Sequence, residues 1–245
     1  MSTLPAATAP VRSYKRRARR LTTGQAGARS RLWQTFGVYV DGTPLDLTRL
    51  FGRDAPVVLE IGFGMGEATA AMAAAQPGLD VLAVDVHTPG QGALLRRVED
   101  RGLTNLRVGD GDALVLLRSM LGSASLAEVR VFFPDPWPKR RHWKRRLVSP
   151  EFADLVADRL VPGGRLHVAT DWRHYAVQVR AVLAEHPAYD VVVEVPWRAR
   201  TCFEARGLAA GRPAHDVVAV TRTGRATAAA AGAGRTRSPA RRDTS

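Results

Sequence analysis

The 245-residue chain predicts a single α/β domain, a Rossmann-like, doubly wound, mostly parallel sheet of seven strands with helices on both faces. Three observations predict it. Short β-branched apolar runs alternate with longer helix-type stretches. A glycine-rich turn joins the first such run to the first helix. An acidic residue stands at or beside the end of each of the first five runs. At 45% apolar content, the chain can bury one sizeable core.

Strand-type runs occupy Val57–Gly62, Val81–Val86, Leu106–Gly109, Val129–Phe133, Arg165–Thr170, Val191–Val195 and Val217–Thr221. Helix-type stretches fill the gaps between the first five, at Gly66–Ala75, Gly90–Asp100, Ala113–Leu121 and Pro150–Leu160, and Trp172–Ala184 follows the fifth. Strict alternation builds right-handed βαβ units, which put helices on both faces of a parallel sheet. Only residues 196–216, without a clear helix, separate the last two runs, so an antiparallel pair is expected there. Residues 224–240 are an Ala/Gly/Arg segment with nothing to pack a core. The organisation expected is a basic N-terminal arm over 1–31, a folded body over 32–222 and a disordered tail over 223–245.

The formal net charge of +13 is unevenly placed. Residues 1–31 hold eight Lys or Arg and no acid, and residues 222–245 hold six with one acid, Asp243. The body between them is neutral, yet its eight residues Lys139–Arg146 include six cations. Concentrated charge of this kind is a phosphate-binding footprint. A solvated arginine run on a basic protein has the same composition and is the simpler reading of the C-terminal tail. Only three lysines occur, Lys15, Lys139 and Lys144, so two compact ammonium groups are kept within the patch.

A single cysteine, Cys202, excludes an intrachain disulfide framework and a Cys-based zinc cluster, and the histidines show no metal-ligand spacing. No metal is expected. No apolar run approaches the roughly 20 residues that span a bilayer, and residues 1–31 lack the apolar core of a secretory signal. A cytoplasmic protein without a membrane partner is expected, although an Arg-rich, acid-free start is also what a mitochondrial transit peptide offers. Monomer and homodimer are both compatible with the sequence.

In open parallel sheets ligands bind outside the carboxyl ends of the strands, so the strand-end acids carry the chemical reading. The first run ends in Leu59-Glu60-Ile61-Gly62-Phe63-Gly64-Met65-Gly66-Glu67. A dinucleotide fingerprint would place its third glycine where Glu67 stands, and Glu60 would repel a pyrophosphate. A cationic ligand such as S-adenosylmethionine would instead be welcomed by Glu60, with Gly62, Gly64 and Gly66 giving its backbone approach. Asp85 ends the second strand about 20 residues on, where an acid accepts from ribose hydroxyls. Gly109-Asp110-Gly111-Asp112 follows the third and offers an acceptor for an adenine amino group. A helix N-cap is the leading alternative for Asp112, and it is also open for Asp171 in Ala169-Thr170-Asp171-Trp172.

The fourth strand delivers Asp135 in Phe132-Phe133-Pro134-Asp135-Pro136-Trp137-Pro138, directly before the cationic run. Three alternate prolines exclude a helix and favour extended conformations at Asp135 and Trp137, hence a stiff loop. Transfer from a sulfonium is an in-line displacement at a carbon with a good leaving group, so positioning and electrostatics supply most of the rate. No Ser/His/Asp or Cys/His arrangement is visible at the strand ends. That suits an acceptor nitrogen that bears no proton, such as guanine N7, whose methylation leaves a cationic base for Asp135 to stabilise. Asp135 can equally hold the guanine Watson–Crick edge, and both roles stay open.

These residues resemble the TrmB-type tRNA (guanine-N7)-methyltransferases, which act on the variable-loop guanine at position 46 of tRNA. The resemblance spans Val11 to Thr221. It rests on Arg12-Ser13-Tyr14, Arg19-Arg20-Leu21-Thr22, Gly24-Gln25, the Glu60 glycine turn, Phe132–Pro136, Lys144-Arg145-Arg146, Ala169–Trp172, Thr201-Cys202-Phe203-Glu204 and Arg206-Gly207. It implies a class I methyltransferase fold, S-adenosylmethionine at Glu60, Asp85, Asp112 and Asp135, and Asp135 as the catalytic carboxylate. It further implies a guanine site at Lys139, Asp171, Thr201, Cys202, Phe203 and Glu204. RNA contacts are implied at Arg141, His142, Trp143, Lys144, Arg145 and Arg146, with Arg12–Arg31 as an arm that is ordered or orders on RNA.

Three positions depart from the family pattern. Asp85 stands where Glu is common, a shorter acid that still reaches a ribose through a small shift or a water. Cys202 stands where Lys is common, which removes a cation. Trp143 stands where a polar residue is common, so an indole can stack on a base or pack.

Three other classes remain open at the level of sequence. Asp135-Pro136 followed by an aromatic is similar to the D-P-P-[YFW] signature of nucleic-acid amino methyltransferases, without its second proline. A nicotinamide oxidoreductase would bind NAD rather than S-adenosylhomocysteine. A non-catalytic RNA-binding module on the same fold would bind tRNA without methyl transfer.

Overall fold

In the computed structural model, residues 20–223 are described; they form the strands β1 (Gly37–Tyr39), β2 (Val57–Ile61), β3 (Asp80–Asp85), β4 (Leu106–Asp110), β5 (Leu126–Phe132), β6 (Leu160–Thr170), β7 (Tyr189–Val192) and β8 (His215–Thr221). These make one sheet in the order β1-β4-β3-β2-β5-β6-β8-β7. Strands β1 through β6 pair in parallel, and β8 pairs antiparallel with both β6 and β7. The antiparallel end is the one expected from the short connection. The sheet has eight strands where seven were expected. The added one, β1, is a three-residue edge strand beside β4, too short to show an alternating apolar pattern.

The helices are α1 (Thr23–Phe36), α2 (Leu47–Phe51), α3 (Glu67–Ala75), α4 (Thr88–Arg101), α5 (Ala113–Val115), α6 (Pro150–Arg159), α7 (Arg173–Glu185) and α8 (Cys202–Ala209). Helices α1, α3 and α4 cover one sheet face through Ala28, Ala70, Leu94, Leu95 and Val98. The other face is packed by Phe51, Leu116, Phe152, Val156, Tyr175 and Val179. The stretch expected as one helix over 113–121 is a single α turn that widens into a π turn at Leu116–Met120. Between β7 and β8, where no helix was expected, α8 forms.

The body also starts earlier than residue 32. Thr22 and Gln25 make a reciprocal capping box that opens α1 inside the segment read as an arm. Helix α1 is then tied down by Arg29 to Asp110 at 2.9 Å and by Arg31 to Glu99 at 2.7 Å. The part of the arm before residue 20, and the tail from 224 onward, lie outside the described residues.

The chain runs from β2 to β3 and β4 in one direction and from β5 to β6 in the other, so the switch point lies between β2 and β5. Crevices at the carboxyl ends of strands open at that point. Side chains alternate across a strand. Val57, Leu59 and Ile61 therefore join one core, while Val58 joins the other and Glu60 shares its face.

Candidate active site

Glu60 is 3% exposed at the end of β2, beneath α3. Its Oε1 accepts from the Thr69 hydroxyl at 3.0 Å, and its Oε2 is buried with no hydrogen-bond partner. Burial pushes the carboxyl up to about 7, against the opposing pull of Arg130, its register partner on β5. A buried carboxyl with one unanswered oxygen is costly by itself. It fits a ligand that brings a cationic donor, as the ammonium of S-adenosylmethionine would.

The surroundings shape a pocket for such a group. Gly62, Gly64 and Gly66 take φ values of +81°, +58° and +76°, a left-handed backbone that side chains disfavour. The pocket is lined by Glu60, Gly62, Gly66 and Phe132, and by Thr201, Cys202 and Phe203 from the start of α8. The Phe203 ring covers the turn so closely that a methyl group on Gly64 would lie 3.2 Å from it. Three residues read as cofactor ligands and three read as substrate ligands thus meet around one cavity.

Asp85 supports the turn rather than facing it from afar. Its Oδ2 accepts from the Gly64 amide and its Oδ1 from the His87 amide, both at 2.9 Å. Burial pushes this carboxyl up, and the two amides pull it back. Asp112 caps α5 through the Leu114 amide at 2.9 Å, so the helix-cap reading holds for it. Its neighbour Asp110 is held by Arg29 at 2.9 Å and by Gln91 at 2.8 Å. Asp171 is not a cap; it pairs with Arg212 at 2.9 Å, and α7 begins beyond Trp172 without a side-chain cap.

Helix α8 explains the spacing of the Thr201–Glu204 motif. Thr201 is its N-cap, accepting from the Glu204 amide at 3.0 Å. The Glu204 carboxylate is gripped through both oxygens by Arg198, at 2.6 and 3.3 Å. Arg198 also binds both oxygens of Asp216, and its guanidinium lies 5.5 Å from the Phe132 ring centroid and 5.6 Å from that of Phe133. Burial by itself would lower the guanidinium's pKa, but the Asp216 and Glu204 carboxylates more than reverse this and hold it above its ordinary value. Arg198 was missed in the sequence. It clamps the α8 turn to β8, beside the Phe132 and Phe133 rings that lead to Asp135.

The Phe132–Arg146 segment departs from expectation at two points. Trp137 is not extended: its φ is +42°, and Phe133 is at +53°. Local strain of this type is held by the surrounding packing, here by the burial of Trp137 and a Phe133 amide bond to the Ala169 carbonyl at 2.7 Å. The second point is Arg146, which is 4% exposed and so is not a free phosphate contact. Its Nε donates to the Pro136 carbonyl at 2.9 Å, and the guanidinium lies 4.9 Å from the Trp143 centroid and 4.8 Å from that of Tyr175. Arg146 is a strut for the Asp135 loop.

Lys139, Arg140, Arg141, Lys144 and Arg145 are exposed around a 3₁₀ turn, while Asp135, His142 and Trp143 are half-buried. The Trp143 ring also sits against His174, 4.3 Å between centroids. Among the described residues, no group of three or more His, Cys, Asp or Glu could hold a metal ion, and no helix is long and apolar enough to cross a membrane.

The switch-point fold with a carboxyl-floored pocket defines a methyltransferase of the Rossmann-like class. A family described as "Putative methyltransferase" matches residues 54–216. The tRNA (guanine-N(7)-)-methyltransferase of Streptomyces avermitilis is 53% identical over 215 residues, covering 85% of this chain and 74% of that relative. Its namesake in Streptomyces coelicolor is 52% identical, covering 85% and 80%. The crystal structure of TrmN from Thermus thermophilus superposes with a TM-score of 0.50 at 20% identity, over 72% of this chain and 47% of that one, which establishes the fold alone. The chain belongs to the tRNA (guanine-N(7)-)-methyltransferase family.

Proposed function

We propose that this protein transfers the methyl group of S-adenosylmethionine to N7 of the variable-loop guanine at position 46 of tRNA, in the cytoplasm. The reading is carried by Glu60, a buried and half-satisfied carboxyl at the switch point, in a chain whose relatives are named tRNA (guanine-N(7)-)-methyltransferases.

When bound, S-adenosylmethionine supplies a methyl carbon on a sulfonium leaving group. Glu60 receives its ammonium, Asp85 its ribose and Asp112 its adenine amino group, over the backbone of Gly62, Gly64 and Gly66. Guanine N7 has a lone pair and no proton, so the chain needs no general base. Asp135 faces the positive charge that develops on the base. Lys139, Asp171, Thr201, Cys202, Phe203 and Glu204 seat the guanine. Glu204 does so while anchored by Arg198, which leaves its outer lone pairs for ring N–H groups.

The exposed cations Arg141, Lys144 and Arg145, with His142 and Trp143, seat the tRNA backbone. Arg145→Glu is expected to weaken tRNA binding and reduce the log–log salt slope by about one. Arg146→Ala is expected to leave that slope unchanged while costing about 2–3 kcal/mol in denaturant unfolding, because a buried, charged hydrogen-bond donor is lost. A salt slope that falls in Arg146→Ala would return that residue to the RNA surface.

The reaction is tested by incubating the chain with bulk tRNA and methyl-labelled donor, then digesting to nucleosides. Label in 7-methylguanosine is expected. Label in another nucleoside, or tRNA binding without label, would overturn the reading.

A further inference from the structure

We infer that Trp197 is a stacking platform for an unpaired tRNA base beside the target guanine; this rests on the proposed function and extends it to a surface that the site residues above do not include. The indole is 59% exposed. It stands in the irregular segment between β7 and α8, yet that segment is pinned on the far side of the indole. Arg198 follows it, its side chain only 8% exposed and bound to Glu204 and Asp216. Ala199 then packs against the cluster of Ala68, Met72, Phe132 and Ala169. A large ring held outward by a fixed backbone is a surface offered to something.

The charge around it selects a nucleic acid. Arg200 is exposed in that segment and Arg206 on the α8 that follows it, where Arg206 lies 5.9 Å from the Phe203 ring centroid. Aromatic faces beside arginines take up bases without reading their sequence. The geometry of the reaction supplies the need. A guanine that reaches the pocket over Glu60 must leave its neighbours in a folded RNA, and the base next to it loses a stacking partner. Trp197, four residues before Thr201, is placed to replace that partner.

The test uses the full chain with Trp197→Ala and Trp197→Phe. Because the ring is exposed, both variants are expected to melt like wild type and to bind S-adenosylhomocysteine unchanged. Trp197→Ala is expected to weaken tRNA binding about 5- to 100-fold, with Trp197→Phe retaining most of the affinity. A tRNA carrying an abasic nucleotide next to the target guanine should lose affinity for wild type, and the two losses should not add. Wild-type affinity in Trp197→Ala, or full additivity with the abasic tRNA at either neighbour, would overturn the inference. So would a dimer in sedimentation that Trp197→Ala dissolves while tRNA affinity stays unchanged. The affinity readout needs no turnover, so a chain that binds tRNA through Trp197 and transfers no label would sink the proposed reaction and keep the surface.

Discussion

Asn in place of Asp135 is expected to lower the single-turnover rate of methyl transfer about 10²- to 10³-fold, with tRNA and S-adenosylhomocysteine affinity changed by no more than a few fold. The magnitude is that of removing one preorganised charge aimed at a developing cation. The structure gives the reason for preorganisation. Asp135 sits between Phe133 and Trp137, both left-handed, in a loop whose Pro136 carbonyl is tied to the buried Arg146. Held this way, the carboxylate does not have to be ordered when the base arrives. Asparagine keeps the shape and removes the charge, so a rate near wild type would take Asp135 out of the chemistry.

The second large effect concerns Glu60. Its carboxyl is moved by burial from the usual 4.5 up to about 7. The folded-state value is the higher one, so its contribution to stability is complete below the unfolded value and is lost as pH rises through the folded value. At alkaline pH the loss amounts to about 3 kcal/mol. Glu60→Gln should therefore stabilise the donor-free protein above pH 8, by up to about that much, with the difference closing toward pH 5. Binding runs the other way. An ammonium group at Glu60 requires the ionised form, so wild-type affinity for S-adenosylhomocysteine, which keeps that ammonium, should rise about tenfold per pH unit on the acid side of 7 and then level off. Glu60→Gln should bind at least about 30-fold more weakly near pH 7.5, with a flat profile. Calorimetry across pH measures both. A steep profile retained in Glu60→Gln would place the titration elsewhere.

Much of this was legible because the parallel sheet writes itself as alternating runs, and its carboxyl ends are where acids must gather. Glu60, Gly62, Gly66 and Thr201–Phe203 were named from sequence and meet in one pocket. The missed elements are instructive. Thr22-Thr23-Gly24-Gln25 and Thr201-Cys202-Phe203-Glu204 both fit the Ser/Thr-x-x-Glu/Gln start signal, and both open helices that were read as arm or loop. Weak apolar patterning hid them: within α1 only Ala28 is fully buried, and within α8 only Gly207. Arg146 and Arg198 could not be separated from solvated arginines by composition, since only tertiary packing distinguishes a buried strut from a surface cation. Trp137 followed the fold rather than its proline neighbours, because burying the indole outweighs a local backbone preference of 1–3 kcal/mol at most, as a rough scale.

The most direct measurement is single-turnover transfer to a tRNA in which the target guanine is replaced by 7-deazaguanine, which exchanges N7 for C–H and leaves the Watson–Crick edge intact. The expected result is binding close to that of normal tRNA and no methyl transfer. Methylation of the deaza substrate at the normal rate would contradict a proton-free ring nitrogen as the acceptor, and with it the account of a site that works without a base.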